Sequence, residues 1–185
     1  MTVHRVRQLG DPILRVKCDP VKNVRSAAVR MVAVDLQDTL RDLKARHGFG
    51  RGLAAPQIGA PLRMIYLEMD GPLWLVNPEI VDVGPHDFLV WDDCYSIPNL
   101  LIRVQRTHQL TVQYKDLAGK EQELVAEKDL AELLQHEIDH LDGMLAVDRA
   151  TGIDPFCYRE EWNKHHAGEK RLGKKFTREL LVDET

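Results

Sequence analysis

The sequence predicts an α+β fold, and two observations carry that expectation. Short candidate strands are grouped ahead of an isolated helix rather than alternating with helices, and Leu110, Val112 and Tyr114 alternate cleanly, as in a half-buried strand. Arg7 to Asn23 reads as irregular chain with a turn at Asp11-Pro12. Ser26 can cap a helix whose apolar face is Val29, Val32, Ala33, Leu36, Leu40 and Leu43, stopped by the glycine-rich run His47 to Gly52. Met64 to Leu67, Leu73 to Val76 and Ile80 to Val83 are strand candidates, punctuated by Gly71-Pro72, Pro78 and Gly84-Pro85. Phe88 to Trp91 leads into Asp92-Asp93-Cys94, and Asp116 to Gly119 turns the chain so that Glu121 to Val125 returns as the second arm of a hairpin.

A second helix is expected from about Asp129 to Leu141. Leu130, Leu133, Leu134, Ile138 and Leu141 recur at helical spacing, Asp129 and Glu132 suit its first turn, and Gly143 suits its stop. Asp154-Pro155 reads as a cap followed by proline at the first helical position, opening a terminal helix with Phe156, Tyr158 and Trp162. From Gly168 onward the chain is charged. The expected organisation is one catalytic domain over residues 1–150 and a helical extension over 151–185, part of the same domain or a partly ordered tail.

Hydrophobic residues make up 44% and charged residues 29% of the 185, ordinary for a globular protein with a real core. A net charge of −4 gives no reason to expect nucleic-acid binding, and no apolar run is long enough to span a bilayer. The start, Met1 to Arg7, lacks the apolar core of a secretory signal, so the cytoplasm is the expected location. Three widely spaced cysteines, Cys18, Cys94 and Cys157, argue against a disulfide framework.

The stretch His136-Glu137-Ile138-Asp139-His140 narrows the function most. Residues four apart share one face of a helix, so both imidazoles can meet a single ion, and Glu137 can take a proton from water at that ion. A catalytic site of this kind needs a third protein ligand. The metzincin arrangement fails, because Gly143 fits but Ala146 stands where histidine is required. Glu160 lies at a thermolysin-like interval from His140. Cys94 offers a thiolate, a good ligand for zinc or ferrous iron, in the polar turn Asp93 to Pro98.

Three segments together resemble the peptide deformylase family. Gly-x-Gly-Leu-Ala-Ala-x-Gln stands complete as Gly50 to Gln57, and His-Glu-x-x-His stands complete as His136 to His140. Glu-Gly-Cys-Leu-Ser stands as Asp92-Asp93-Cys94-Tyr95-Ser96, and the likeness extends from about Arg7 to about Asp148. The resemblance implies an α+β fold of short, mostly antiparallel strands surrounding the metal-binding helix. It implies Cys94, His136 and His140 as ligands, Glu137 as general base and acid, and Gln57 with the Tyr95 N–H as oxyanion donors. Gly52 would seat the substrate backbone, and Arg106 matches a supporting arginine. The metal is expected to be ferrous iron in the cell, with zinc or nickel as substitutes.

The implied activity is removal of formyl from the N-terminal methionine of newly synthesised polypeptides, with an apolar pocket for the methionine side chain and strand-like pairing to the peptide. Two alternatives are a related hydrolase acting on a different N-formyl or N-acyl substrate and a thermolysin-type peptidase. A metal-binding scaffold without catalysis is disfavoured by Glu137 and Gln57, which binding alone does not require. Transient ribosome association is implied, although the terminal helix sets Arg159 and Lys164 against Glu160 and Glu161 rather than presenting a basic face. Three positions depart from the family pattern. Asp93 replaces a glycine whose backbone angles are unusual, Tyr95 replaces leucine, and Arg51 stands in a slot that is commonly aliphatic. Arg51 and Asp93 are expected to border the substrate and could pair across the cleft mouth.

Overall fold

The structure, a computed structural model, describes residues 2–166 and 172–177. Two antiparallel sheets are arranged about one buried helix. The first sheet contains β1 (Gly52–Ala54), β2 (Met64–Glu68), β3 (Pro72–Val83), β6 (Gln109–Lys115) and β7 (Glu121–Glu127), in the order β1-β2-β3-β6-β7. The second contains β4 (His86–Asp93), β5 (Leu100–Thr107), β8 (Phe156–Tyr158) and β9 (Leu172–Thr177), in the order β8-β5-β4-β9.

α1 (Ala27–His47) covers one face of the first sheet, and α2 (Lys128–Leu141) lies on the other. β2 shows why its sequence reads as one apolar run: Met64 and Tyr66 join the α1 side of the core, whereas Ile65 and Leu67 join the α2 side. The Ser26 hydroxyl accepts the Val29 N–H at 3.3 Å to start α1. Leu36 and Leu40 on its inner face are fully buried. Truncating either to alanine should cost about 2–5 kcal/mol. A third apolar cluster, including Leu14, Phe88, Ile102, Val104 and Leu145, closes the second sheet.

Both helices and the hairpin of β6 with β7 lie where the sequence places them. The two strands expected around Pro78 are one strand, β3, with a register shift between Val76 and Glu79. Asn77, at φ 54°, and Pro78 occupy the shift, where no regular ladder bond is required of them. β5 carries no sequence expectation, because its inward alternation of Ile102 and Val104 ends on a buried arginine, Arg106.

The C-terminal expectation needs correction. Asp154 has a left-handed φ of 52°, and Phe156–Tyr158 pairs with β5 as β8. α3 therefore begins only at Arg159 and ends at His165. Residues 172–177 add β9 beside β4, and the rest of the stretch read as a charged tail lies outside the described residues. Among the described residues, no helix is long and apolar enough to cross a membrane.

Candidate metal centre and its cleft

α2 is amphipathic in an unusual sense: its buried face continues past Leu134 and Ile138 into His136, Glu137, Asp139 and His140, all buried. A charged or titratable group with so little water needs partners. The His136 and His140 rings lie 4.9 Å apart, as one helical turn requires. Opposite them β4 ends at Asp93, and the turn that follows holds Cys94, with the Ile97 N–H donating to the Cys94 carbonyl at 3.0 Å. Ligating atoms of Cys94, His136 and His140 lie within 4.8 Å of one another, with Cys94 Sγ 3.3 Å from His140 Nε2. Donors of a four-coordinate ion with bonds of about 2.0–2.3 Å sit roughly 3.3–3.6 Å apart, so a thiolate and two imidazoles at this spacing fit a divalent metal. Cys94, rather than any downstream carboxylate, is the third group in this candidate cluster. Glu160, the thermolysin-like candidate, is an exposed residue of α3 paired with Lys164 at 2.9 Å.

Charge compensation is continuous behind the candidate ligands. His136 Nδ1 meets the Asp92 carboxylate at 3.0 Å, which turns Nε2 toward the cysteine. Asp92 is bound by Arg106 Nη2 at 2.9 Å, Arg106 Nη1 reaches Asp139 at 2.5 Å, and Arg149 reaches the other Asp139 oxygen at 2.7 Å. Burial alone would pull the His136 imidazole down, but Asp92 and the Cys94 sulfur push it well above its ordinary value. Burial, reinforced by the charge on His136, holds His140 well below. The two imidazoles are driven apart by their surroundings, and His140 Nδ1 is buried with no hydrogen-bond partner among the described residues.

Glu137 Oε2 is likewise buried and without a partner among the described residues, and the side chain borders a cleft of about 510 Å³. Burial pushes its carboxyl up to about 7. Gly52 faces it: a Cβ there would fall 2.6 Å from Glu137 Oε1 and 2.9 Å from Leu67, so any side chain would displace the carboxylate. Gln57, in a 3-10 turn over Ala55–Ile58, is fixed by its carbonyl accepting the Ala54 N–H at 2.8 Å. Its amide nitrogen points to Ser96 Oγ at 3.2 Å and Cys94 Sγ at 3.6 Å. Gln57 and Glu137 therefore approach the ligand cluster from different elements.

The rim differs from expectation. Arg51 and Asp93 do not pair. Arg51 lies along the first turns of α2 and binds Glu132 at 2.8 Å, while Asp93 faces the start of α3 and binds Arg159 at 2.5 Å. Nor does Asp93 need glycine-like angles: it continues β4 in register with Leu101, and its φ is not positive. Tyr95 stacks on Phe49 at 5.3 Å, and its hydroxyl donates to the Phe49 carbonyl. That packing depends on Gly50, whose φ is +109° and whose Cβ would overlap the Tyr95 hydroxyl. Arg159 lies over the Phe49 ring at 4.8 Å. Asp92, Asp139, Arg149, Glu132 and Arg159 carry no site role in the sequence reading, which has Asp92 in the cysteine segment, Glu132 in the first turn of the helix and Arg159 on the terminal helix. The available signal was register: Asp92 follows Phe88 and Val90 on the inward face of β4, and Glu132 precedes His136 by one helical turn.

Comparison with known proteins agrees with this geometry. Residues 3–155 match the family model described as polypeptide deformylase. A peptide deformylase of Desulforudis audaxviator is 41% identical over 155 residues, covering 83% of this chain and 97% of that protein. The crystal structure of peptide deformylase from Thermotoga maritima aligns with a TM-score of 0.75 at 31% identity, covering 82% of this chain and 100% of that one. A Met-Ala-Ser-bound class I type b peptide deformylase from Acinetobacter baumannii aligns at 0.73 and 30% identity, covering 80% and 98%. With the matched segment spanning both the ligand cluster and the glutamine turn, this chain belongs to the polypeptide deformylase family.

Proposed function

We propose that this chain is a metal-dependent hydrolase that removes the N-formyl group from the N-terminal methionine of newly synthesised polypeptides. The observation that carries the reading is the buried Glu137 oxygen, without a partner among the described residues, on the helix that carries His136 and His140, with the Gln57 amide 3.6 Å from the Cys94 sulfur. Cys94, His136 and His140 would hold the metal. When bound, a divalent metal supplies Lewis-acid chemistry, polarising a carbonyl and lowering the pKa of water from about 15.7 toward about 7.

The protein's own groups do the rest. Glu137 takes a proton from the attacking water and delivers it to the nitrogen as the formyl C–N bond breaks, leaving formate and a free amine. A carboxyl pushed up to about 7 can both accept and return that proton near neutrality. The Gln57 amide and the Tyr95 N–H donate to the carbonyl oxygen as it gains charge. β1 is an edge strand, so an extended peptide can align along it with Gly52 keeping the approach open. Arg106 holds Asp92 and Asp139, and through Asp92 the orientation of His136.

Ferrous iron is the proposed cellular metal, with zinc or nickel as substitutes, because one thiolate and two imidazoles suit all three. A cytoplasmic setting and transient contact with the ribosome belong to the same reading. The deciding experiment is formate release from a formyl-Met tripeptide by anaerobically purified protein, with metal content measured alongside. Stoichiometric metal without formate release would overturn the proposal.

A further inference from the structure

β1 pairs with β2 along one edge, Gly52 opposite Leu67 and Ala54 opposite Ile65, and no other described strand takes its second edge. The extended backbone begins one residue earlier, since the Arg51 carbonyl accepts the Glu68 N–H at 2.9 Å. Glu137 faces this run at Gly52, and the Gln57 amide approaches Cys94 beyond its far end. A peptide whose formyl group sits at the ligand cluster and whose backbone follows this edge therefore runs back along the chain, from Gly52 toward Gly50. At about 3.3 Å per residue, a first residue opposite Gly52 brings the third opposite Gly50.

That position is already crossed. Tyr95 reaches from the turn after β4 to the loop leaving α1, where its hydroxyl donates to the Phe49 carbonyl and its ring stacks on Phe49 at 5.3 Å. The contact lies so close to Gly50 that a Cβ there would overlap the Tyr95 hydroxyl. The His47 ring stands 5.9 Å from that of Tyr95 and the Arg159 guanidinium 4.8 Å from that of Phe49, so both ends of the bridge are packed. Leucine, the residue of the family pattern at position 95, has neither a hydroxyl nor a ring to span the cleft.

Deepening the function proposed above, and resting on it, we propose that Tyr95 and Phe49 set specificity at the third residue of the substrate, admitting glycine or another small residue and disfavouring a bulky one. Bulk at that residue has to break the hydroxyl bond and part the two rings. The second residue lies beside Arg51, short of the bridge, and its side chain points to the opposite face of an extended peptide. Bulk there leaves the bridge closed.

The test measures formate release by the metal-loaded enzyme from the amides of formyl-Met-Ala-Gly, formyl-Met-Ala-Leu and formyl-Met-Leu-Gly. Leucine at the third residue should lower kcat/KM about tenfold relative to glycine, as the loss of one hydrogen bond and one ring contact implies, and leucine at the second by less than about twofold. The unformylated products, titrated by calorimetry, should bind in the same order. Tyr95→Leu and Phe49→Ala keep the backbone donors and should each bring the glycine-to-leucine ratio at the third residue within about twofold, whereas Tyr95→Phe, which keeps the stack, should leave it near about threefold. Equal rates on glycine and leucine at the third residue overturn the proposal and leave the deformylase reading standing. So does an equal penalty at the second residue, or an undiminished ratio in folded Tyr95→Leu. If the variants do not fold, the native comparison of the two positions decides alone. Formate release from none of the three, with metal bound, overturns the deformylase reading and this proposal together.

Discussion

The two walls of the cleft are built on different principles. On the α2 side, His136, Glu137 and His140 are buried and backed by an unbroken sequence of alternating charges through Asp92, Arg106, Asp139 and Arg149. On the rim, Arg51, Asp93, Tyr95 and Arg159 are partly exposed and held in separate pairs and ring contacts. Buried charges constrain one another, because losing one leaves its partner unsolvated and uncompensated. Rim pairs such as Asp93–Arg159 are cushioned by water and can change with less cost to the fold, whereas Arg51 covers a buried partner, Glu132. The difference teaches where this chain could diverge from its relatives: at the rim, without disturbing the ligand frame.

The sharpest test of that contrast is Glu137→Gln, which keeps the shape of the buried wall and removes its proposed proton carrier. Formate release should fall by about 10²–10⁴, with metal content unchanged. Arg106→Met tests whether the charge sequence is a unit. It leaves Asp92 and Asp139 without the counter-ion they share, and a loss of about 3–5 kcal/mol is expected. In a thermal melt this corresponds to a drop of roughly 6–20 °C. A smaller change would mean that Arg149 and water take over.

Gln57→Ala crosses between the two walls. It should lower kcat by about 10²–10³ while the metal stays bound; a change confined to KM would instead place Gln57 in substrate binding alone. The smallest effect belongs to the rim. Arg159→Ala removes one ion pair and one cation–π contact, each worth about 1 kcal/mol or less. The expected result is a KM shift of about two- to fivefold at constant kcat and metal content. A kcat loss comparable to that of Gln57→Ala would erase the distinction between the walls.

Much of this was legible before any coordinates. The His136–His140 interval, the Ser26 cap and the alternation from Leu110 to Tyr114 each refer to neighbours within a few residues, and each reappears in the structure. The C-terminal helix was misplaced because a proline after aspartate suits a helix start and an extended approach alike. Pairing of Phe156 and Cys157 with Ile102 and Leu101 decided between them. β5 carries no such local signal, because its inward alternation ends on Arg106, whose buried partners Asp92 and Asp139 come from other elements.

What the sequence determined by itself was local: which residues share a helix face, where helices begin, and that two imidazoles and a carboxylate occupy one turn of α2. Cys94 met them through a resemblance and through the chemistry of thiolates, and its distance from His140 came only from the packing of β4 against α2. The partner of each long charged side chain was decided by tertiary structure. The sequence suggests Asp93 as the counter-ion of Arg51, and the structure gives it Glu132 instead, because the chain leaving α1 lies against the first turns of α2. Helical periodicity is fixed by backbone geometry within a few residues, whereas an ion pair across 81 positions of sequence exists only once two separate elements have packed.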